Sequence, residues 1–276
     1  MKYHRTVTIS HEMTMKFILI HFYLFVIFLA FSEARLKSYG AKNARNGQFP
    51  FVVLISYKGH KHCGGSIIHE RWILTAAHCL HENTSKPLIT VGTSGNLGSG
   101  TTYRAKKLFF HPDFIVIPED ENDGLEFVDN DIGLILLASN ITFTYKIQPV
   151  SLATLDDGSY ENSIATIPGW GSAEYYEDMS KHLRYINVRV LTKKECQKVW
   201  TYADKHYCTS TQEQQGVCYG DSGSPMLVGN VQVGIACTAD TFCESVKPDL
   251  FTKVASFITW IESIMSYYGD VLSEFN

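Results

Sequence analysis

Downstream of Gln48 the chain is a succession of short β-branched and aromatic runs, each closed by clusters of Gly, Asn or Asp. Phe51–Tyr57, Trp72–Ala76, Leu88–Val91, Ile132–Leu137, Ile186–Leu191 and Val231–Ala236 are the clearest. Runs of this length at this spacing predict strands of an all-β sandwich or barrel. One segment alone has a helical period. In Ser256–Tyr268 (SFITWIESIMSYY), Ile258, Ile261, Ile264 and Met265 fall close to one face, which predicts a C-terminal helix packed on the body. No internal repeat, low-complexity tract or linker divides the chain. With 276 residues, 45% of them hydrophobic, it is too apolar for disorder and long enough for two packed β subdomains.

The N-terminus belongs to a different class of segment. Phe17–Phe31 is an almost unbroken apolar run behind Lys16. A membrane-spanning helix needs about 20 such residues, so this one is short. Ser32 and Ala34 stand at the spacing that a signal peptidase prefers. Residues 1–34 therefore read as a signal peptide cut near Ala34, with Ala30 and Ser32 as alternative cut points. A signal anchor that keeps the chain on the membrane is the competing reading. Met15-Lys16 would make a more usual start than Met1, so residues 1–14 are either a long leader or lie upstream of the true start.

Residues 1–37 hold five of the 24 Lys and Arg and two of the 28 Asp and Glu, which leaves 19 basic and 26 acidic side chains, a net charge of −7. Such a chain is unsuited to nucleic acid or anionic lipid, whose phosphates call for Lys and Arg. All seven cysteines follow residue 60. With a signal peptide they indicate an oxidising compartment and disulfides, and their spacing lacks the paired Cys-x-x-Cys of a structural zinc site. The odd count leaves one thiol free or paired outside the chain. Asn83-Thr84-Ser85 and Asn140-Ile141-Thr142 are glycosylation sequons, though bare tripeptides carry little information. Pro118–Asp131 carries seven acidic residues and is expected to be an acidic loop. Its spacing is not that of an EF-hand, and no metal is expected.

Three segments carry chemistry. Thr75-Ala76-Ala77-His78-Cys79 follows the apolar Trp72-Ile73-Leu74. Asp129-Asn130-Asp131 precedes Ile132–Leu137. Gly220-Asp221-Ser222-Gly223-Ser224-Pro225 follows Cys218. A serine hydroxyl is a weak nucleophile until a base takes its proton, and the base needs an orienting carboxylate. A His, an Asp and a Ser each sit here between an apolar run and a turn. Glycine on both sides of Ser222, at Gly220 and Gly223, lets the backbone approach a substrate and offer N–H groups to a developing oxyanion. Taken singly, each segment is compatible with an ordinary turn.

Together and in this order they resemble the chymotrypsin/trypsin family of serine endopeptidases, over residues 38–268. Cys63-Gly64-Gly65-Ser66, Gly169-Trp170-Gly171 and Phe251-Thr252-Lys253-Val254 extend the likeness. The resemblance implies two packed antiparallel β-barrels with the site in the cleft between them. It implies Ser222 as nucleophile, His78 as general base and then acid, and Asp131 as the carboxylate that fixes the imidazole tautomer. The N–H groups of Gly220 and Ser222 would form the oxyanion hole. The implied disulfides are Cys63–Cys79, Cys196–Cys208 and Cys218–Cys243. A bridge that many relatives place near Ala165 and Val228 is missing at both ends, which leaves Cys237 as the odd thiol. Cys237 would lie close to Asp131, where relatives offer a serine hydroxyl. The loop at which trypsins bind calcium corresponds to Gly92–Tyr103, which has no Asp or Glu. The family needs no cofactor. Its partners are protein or peptide substrates and protein protease inhibitors, and the enzyme is expected to be a secreted monomer.

By the same resemblance the chain is a zymogen, with residues 35–37 as a short propeptide and 38–276 as the protease domain. A cut after Lys37 would free the amine of Ser38, which would pair with Asp221. Ser38-Tyr39-Gly40-Ala41 departs from the Ile-Val-Gly-Gly type of start, and replacing a buried Ile forfeits about 1.5–3 kcal/mol of apolar burial. Direct trimming to the mature end is the alternative. In the specificity pocket, Gly216 stands where trypsins have Asp, and an acid instead occurs at Asp249. That pair resembles the broad-specificity, crab-collagenase-like branch of the family. Val217 and Ala239 would narrow the pocket, and Cys237-Thr238-Ala239 stands in place of the usual Ser-Trp-Gly. A chymotrypsin- or elastase-like preference for apolar side chains is expected, with a broader range that includes basic residues as the second reading. The rival function is a catalytically silent homologue that binds or signals, a reading to which Ser38, Cys237 and Thr238 lend weight.

Overall fold

A computed structural model describes residues 41–57, 62–81, 85–95, 99–117, 127–172, 179–201, 203–210, 216–238 and 247–270. All of them belong to the compact unit Tyr39–Asn276. The strands are β1 (Lys42–Asn43), β2 (Val52–Ser56), β3 (His62–His69), β4 (Trp72–Thr75), β5 (Leu88–Val91), β6 (Thr101–Phe110), β7 (Ile115–Ile117) and β8 (Phe127–Asp129). They continue with β9 (Gly133–Leu137), β10 (Ser151–Leu152), β11 (Ile164–Gly169), β12 (Arg184–Arg189), β13 (His206–Thr209), β14 (Pro225–Val228), β15 (Val231–Thr238) and β16 (Asp249–Lys253).

The first barrel closes in the order β2-β3-β4-β9-β6-β5, every pair antiparallel. Its interior is the β-branched and leucine set of the sequence runs, including Val53, Ile55, Ile67, Ile73, Leu74, Ile89 and Ile135. β9 is buried at all five positions, Gly133 to Leu137, rather than at alternate ones. The same core cluster takes in Ile261 and Met265 of the helix Ile258–Tyr267, so both faces of the strand lose water. That helix is preceded by a 3₁₀ turn, Val254–Phe257. The helical pattern from Ser256 therefore starts as a tighter turn and becomes α-helical at Ile258. Among the described residues no helix is long and apolar enough to cross a membrane.

The second half is a sheet in the order β1-β12-β11-β14-β15-β16-β13, with β10 added parallel to β15. An isolated bridge between Val190, just past β12, and Thr209 of β13 curls the sheet toward closure. Leu191 N–H to Cys208 O and Ser210 N–H to Arg189 O, each 2.8 Å, support that closure. Ala165, Ile167, Ile186, Val188, Val233 and Phe251 fill its interior. The architecture is all-β with two packed barrel-like halves and one C-terminal helix.

Two sequence expectations need correction. Part of the acidic stretch Pro118–Asp131 is not loop, because Phe127–Asp129 pairs antiparallel with Ile115–Ile117. Phe127 and Val128 are 1% and 3% exposed, and burying that apolar pair outweighs the acidic character of its neighbours. Residues 118–126 lie outside the described residues. In Gly92–Tyr103, the last three residues are already the start of β6 rather than loop.

Candidate active site

His78 opens a single helical turn, His78–His81, just past the end of β4. Asp131 lies just before β9, the strand paired with β4, so register alone brings the two residues near one another. Thr75 of β4 is opposite Gly133 of β9. The contact has two points. His78 Nδ1 is 2.7 Å from Asp131 Oδ2, and the His78 backbone N–H donates to Oδ1 at 2.8 Å. The Asp131 side chain is wholly buried while a quarter of His78's is exposed. With Nδ1–H donating to the carboxylate, Nε2 is left as the basic nitrogen.

Asp131 is held from its backbone as well. Thr252 Oγ1 donates to Asp131 O at 3.0 Å, from the second half of the molecule. The preceding Asn130 adopts φ 55°, a left-handed conformation that Asn tolerates better than most residues. Its Nδ2 donates to Asp113 O at 2.9 Å and its Oδ1 accepts from Lys205 Nζ at 2.7 Å. Thr252 lies in the Phe251-Thr252-Lys253-Val254 segment that extends the likeness, but nothing there pointed to this bond, and Lys205 lies in no motif. Asn in an Asp-Asn-Asp turn was the available hint.

Ser222 reaches this region through glycines. Gly64 N–H donates to Ser222 O at 2.7 Å. A Cβ on Gly64 would stand 2.1 Å from Ser224 Oγ, and one on Gly223 (φ +79°) 2.2 Å from Thr75 Oγ1. Two backbones can approach this closely only where side chains are absent. The neighbour of Gly64, Cys63, is disulfide-bonded to Cys79, which follows His78. The Ser222 turn, β3 and the His78 turn are thereby tied into one assembly. Gly220 has φ +93° and lies against Met179.

Cys196 and Cys208 form a second disulfide. Cys218 is also disulfide-bonded, while Cys243 lies outside the described residues. Cys237 is buried, and its Sγ donates to Leu250 O at 3.1 Å, at a bulge between β15 and β16. The grouping Cys63, His78 and Cys79 has its sulfurs spent in a disulfide and offers no thiolate to a metal.

Gly216, Val217 and Asp249 meet. Asp249 is 5% exposed, and its Oδ2 accepts the Val217 N–H at 3.0 Å. The same oxygen would lie 2.7 Å from a Cβ on Gly216. The Val217 side chain is buried in the second core cluster. Asp221 accepts from Gly171 N–H at 2.7 Å and Cys218 N–H at 3.1 Å. Ala239, Lys37, Ser38 and Asn83 lie outside the described residues. Asn140 is exposed, and its Nδ2 donates to Glu70 Oε1.

Comparison with known proteins gives the family. The Trypsin family model matches residues 38–261. Chymotrypsin-2 of Vespa crabro is 33% identical over 81% of this chain and 97% of its own length. Chymotrypsin of Phaedon cochleariae is 34% identical over 73% and 71% of the two chains. The solved structure of HL collagenase superposes with a TM-score of 0.72 at 26% identity, covering 82% of this chain and 97% of that one. From its His-Asp pair, its Gly-Asp-Ser-Gly turn, its paired barrels and these likenesses, the chain belongs to the trypsin family and is a serine endopeptidase.

Proposed function

We propose that this chain is a secreted, chymotrypsin-like endopeptidase that acts through Ser222, His78 and Asp131 and is made as a zymogen. The observation that carries the reading is the two-point contact of a wholly buried Asp131 with His78. In the reaction, the Ser222 hydroxyl adds to the scissile carbonyl carbon as its proton passes to His78 Nε2. Asp131 stabilises the imidazolium through Nδ1. The N–H groups of Gly220 and Ser222 receive the oxyanion. His78 then returns the proton to the leaving amine, the C–N bond breaks, and an acyl ester remains on Ser222. Water, deprotonated by His78, hydrolyses that ester and restores the enzyme.

Export requires removal of residues 1–34, and activation requires a cut after Lys37, after which the Ser38 amine pairs with Asp221. The substrates are proteins or peptides, and protein protease inhibitors fit the same cleft. The active species is a monomer, with Asn83 and Asn140 as glycan acceptors. The pocket prefers apolar side chains, since Gly216 offers no charge and Asp249 is nearly buried on the Val217 N–H. A second preference, for basic residues, rests on the same Asp249 carboxylate.

The test is to cut the exported protein after Lys37 and assay it on peptides that vary only the residue before the scissile bond. Ser222→Ala serves as control. Cleavage by the cut protein alone is expected. If neither protein cleaves although Ser38 is verified as the new terminus, the silent-homologue reading replaces this one.

A further inference from the structure

The turn His78–His81 is far shorter than a helix that holds itself together in water, so its place is set by what grips it. Asp131 takes its start, through the His78 N–H and Nδ1. One residue on, Cys79 is bonded through sulfur to Cys63. Cys79 is wholly buried, and a buried carbonyl needs a donor within the protein. Tyr57 supplies one. Its hydroxyl donates to Cys79 O at 2.7 Å, and its side chain is itself buried.

Tyr57 and Cys63 belong to one hairpin. β2 and β3 pair with Ile55 opposite Cys63 and Ser56 opposite His62, and Tyr57 follows β2 directly. Tyr57, Cys63, Cys79 and Leu80 share the first core cluster. The hairpin therefore holds Cys79 with two arms, one covalent at its side chain and one at its carbonyl.

Cys79 in turn touches the base. Its Sγ lies 3.7 Å from His78 Nε2, the nitrogen left basic. The disulfide ties the side chain of Cys79 and not its peptide plane. The phenol ties the plane, since a donor prefers to lie near the plane of the carbonyl it serves. With Asp131 on the N–H of His78 and Tyr57 on the carbonyl of the next residue, the backbone is fixed on both sides of the imidazole.

We infer that Tyr57 is a positioning residue for the general base, holding the His78–Cys79 backbone so that Nε2 stays aimed at the nucleophile. The inference rests on the triad reading above. Its test uses the protein cut after Lys37 and Tyr57→Phe, which keeps the ring in the core and removes the donor. Ile261→Val, in the same core cluster but on the C-terminal helix, controls for stability alone. Hydrolysis of a peptide anilide is followed, a substrate with no residue beyond the scissile bond. Thermal melts and the low-field Nδ1–H proton resonance of His78 are recorded beside it.

Tyr57→Phe should lower kcat about three- to ten-fold with KM within about two-fold, the size of one lost hydrogen bond. The His78 resonance should move upfield, as loosening of a charge-assisted bond requires. Ile261→Val should melt earlier by a similar margin yet keep both kcat and the resonance. A cut wild-type chain without activity would remove the triad reading itself. With an active wild type, an unchanged kcat for Tyr57→Phe would overturn the inference alone. So would a loss confined to KM, an unmoved resonance, or an equal loss of kcat in Ile261→Val.

Discussion

Lys205 Nζ donates to Asn130 Oδ1 at 2.7 Å, so a cation from the second half of the molecule grips the residue that precedes Asp131. Asn130 needs that grip, because its φ of 55° is a conformation that costs a non-glycine residue about 1–2 kcal/mol. Lys205→Met should lower kcat with little change in KM, by about three- to ten-fold if one charge-assisted hydrogen bond is lost. Asn130→Ala should cost more, and Asn130→Gly should recover the backbone part. Steady-state kinetics on the three variants, beside thermal melts, check this.

His206 on β13 is 3% exposed, with an edge-on contact to Phe127 at 5.3 Å and no well-formed hydrogen bond at either ring nitrogen. Burial pulls it down to about 4, outweighing the Asp129 and Asp131 carboxylates and the Val128 backbone, which favour the charged form. The unfolded chain therefore takes up this proton first as pH falls. The stability that neutral His206 contributes is whole above pH 6.5 and is lost progressively down to about pH 4. The full loss is roughly 3 kcal/mol. Urea midpoints at pH 7, 5.5 and 4.5 should fall steeply for the wild type and less for His206→Leu. Equal slopes would contradict it.

Asp249 gives a clean separation of charge from shape. Asp249→Asn keeps an oxygen for the Val217 N–H, now bonded at 3.0 Å, and removes the charge. Hydrolysis after Lys or Arg should drop by about ten-fold or more, and hydrolysis after Phe or Leu should change by less than about three-fold. Peptide series on both proteins measure the ratio directly.

Gly64 marks a close approach between the halves. Adding a Cβ there puts it 2.1 Å from Ser224 Oγ and 3.0 Å from Ser224 Cα, and a backbone atom cannot rotate away. Gly64→Ala should destabilise by about 1–3 kcal/mol, as overpacking does. It should also depress activity at temperatures where the protein stays folded, since Gly64 N–H holds Ser222 O. A melt and a rate at 25 °C suffice to decide.

Strand content was legible because short β-branched runs can bury themselves only in a sheet, and the C-terminal helix because Ile258, Ile261, Ile264 and Met265 keep a period no strand shares. His78, Asp131 and Ser222 were legible as motifs, since each sits at an edge of an apolar run with its special neighbours beside it. What tied them together was not. Lys205 is 75 residues from Asn130 and Thr252 is 121 from Asp131. Such partners have no local signature, because a hydrogen bond between distant segments depends on where two barrels dock. The β8 strand was hidden for a related reason: a two-residue apolar pair inside an acidic stretch counts for little locally and becomes decisive once a partner strand covers it. The surroundings of Asp221 were hidden in the same way. Sequence marked it as a carboxylate awaiting an amine, and only the register of β12 against β11 put Arg184 Nη2 on the carbonyl of Gly171, the residue whose N–H donates to Asp221. Local chemistry follows from side chains and their neighbours in the chain, whereas the company a buried charge keeps is set by packing.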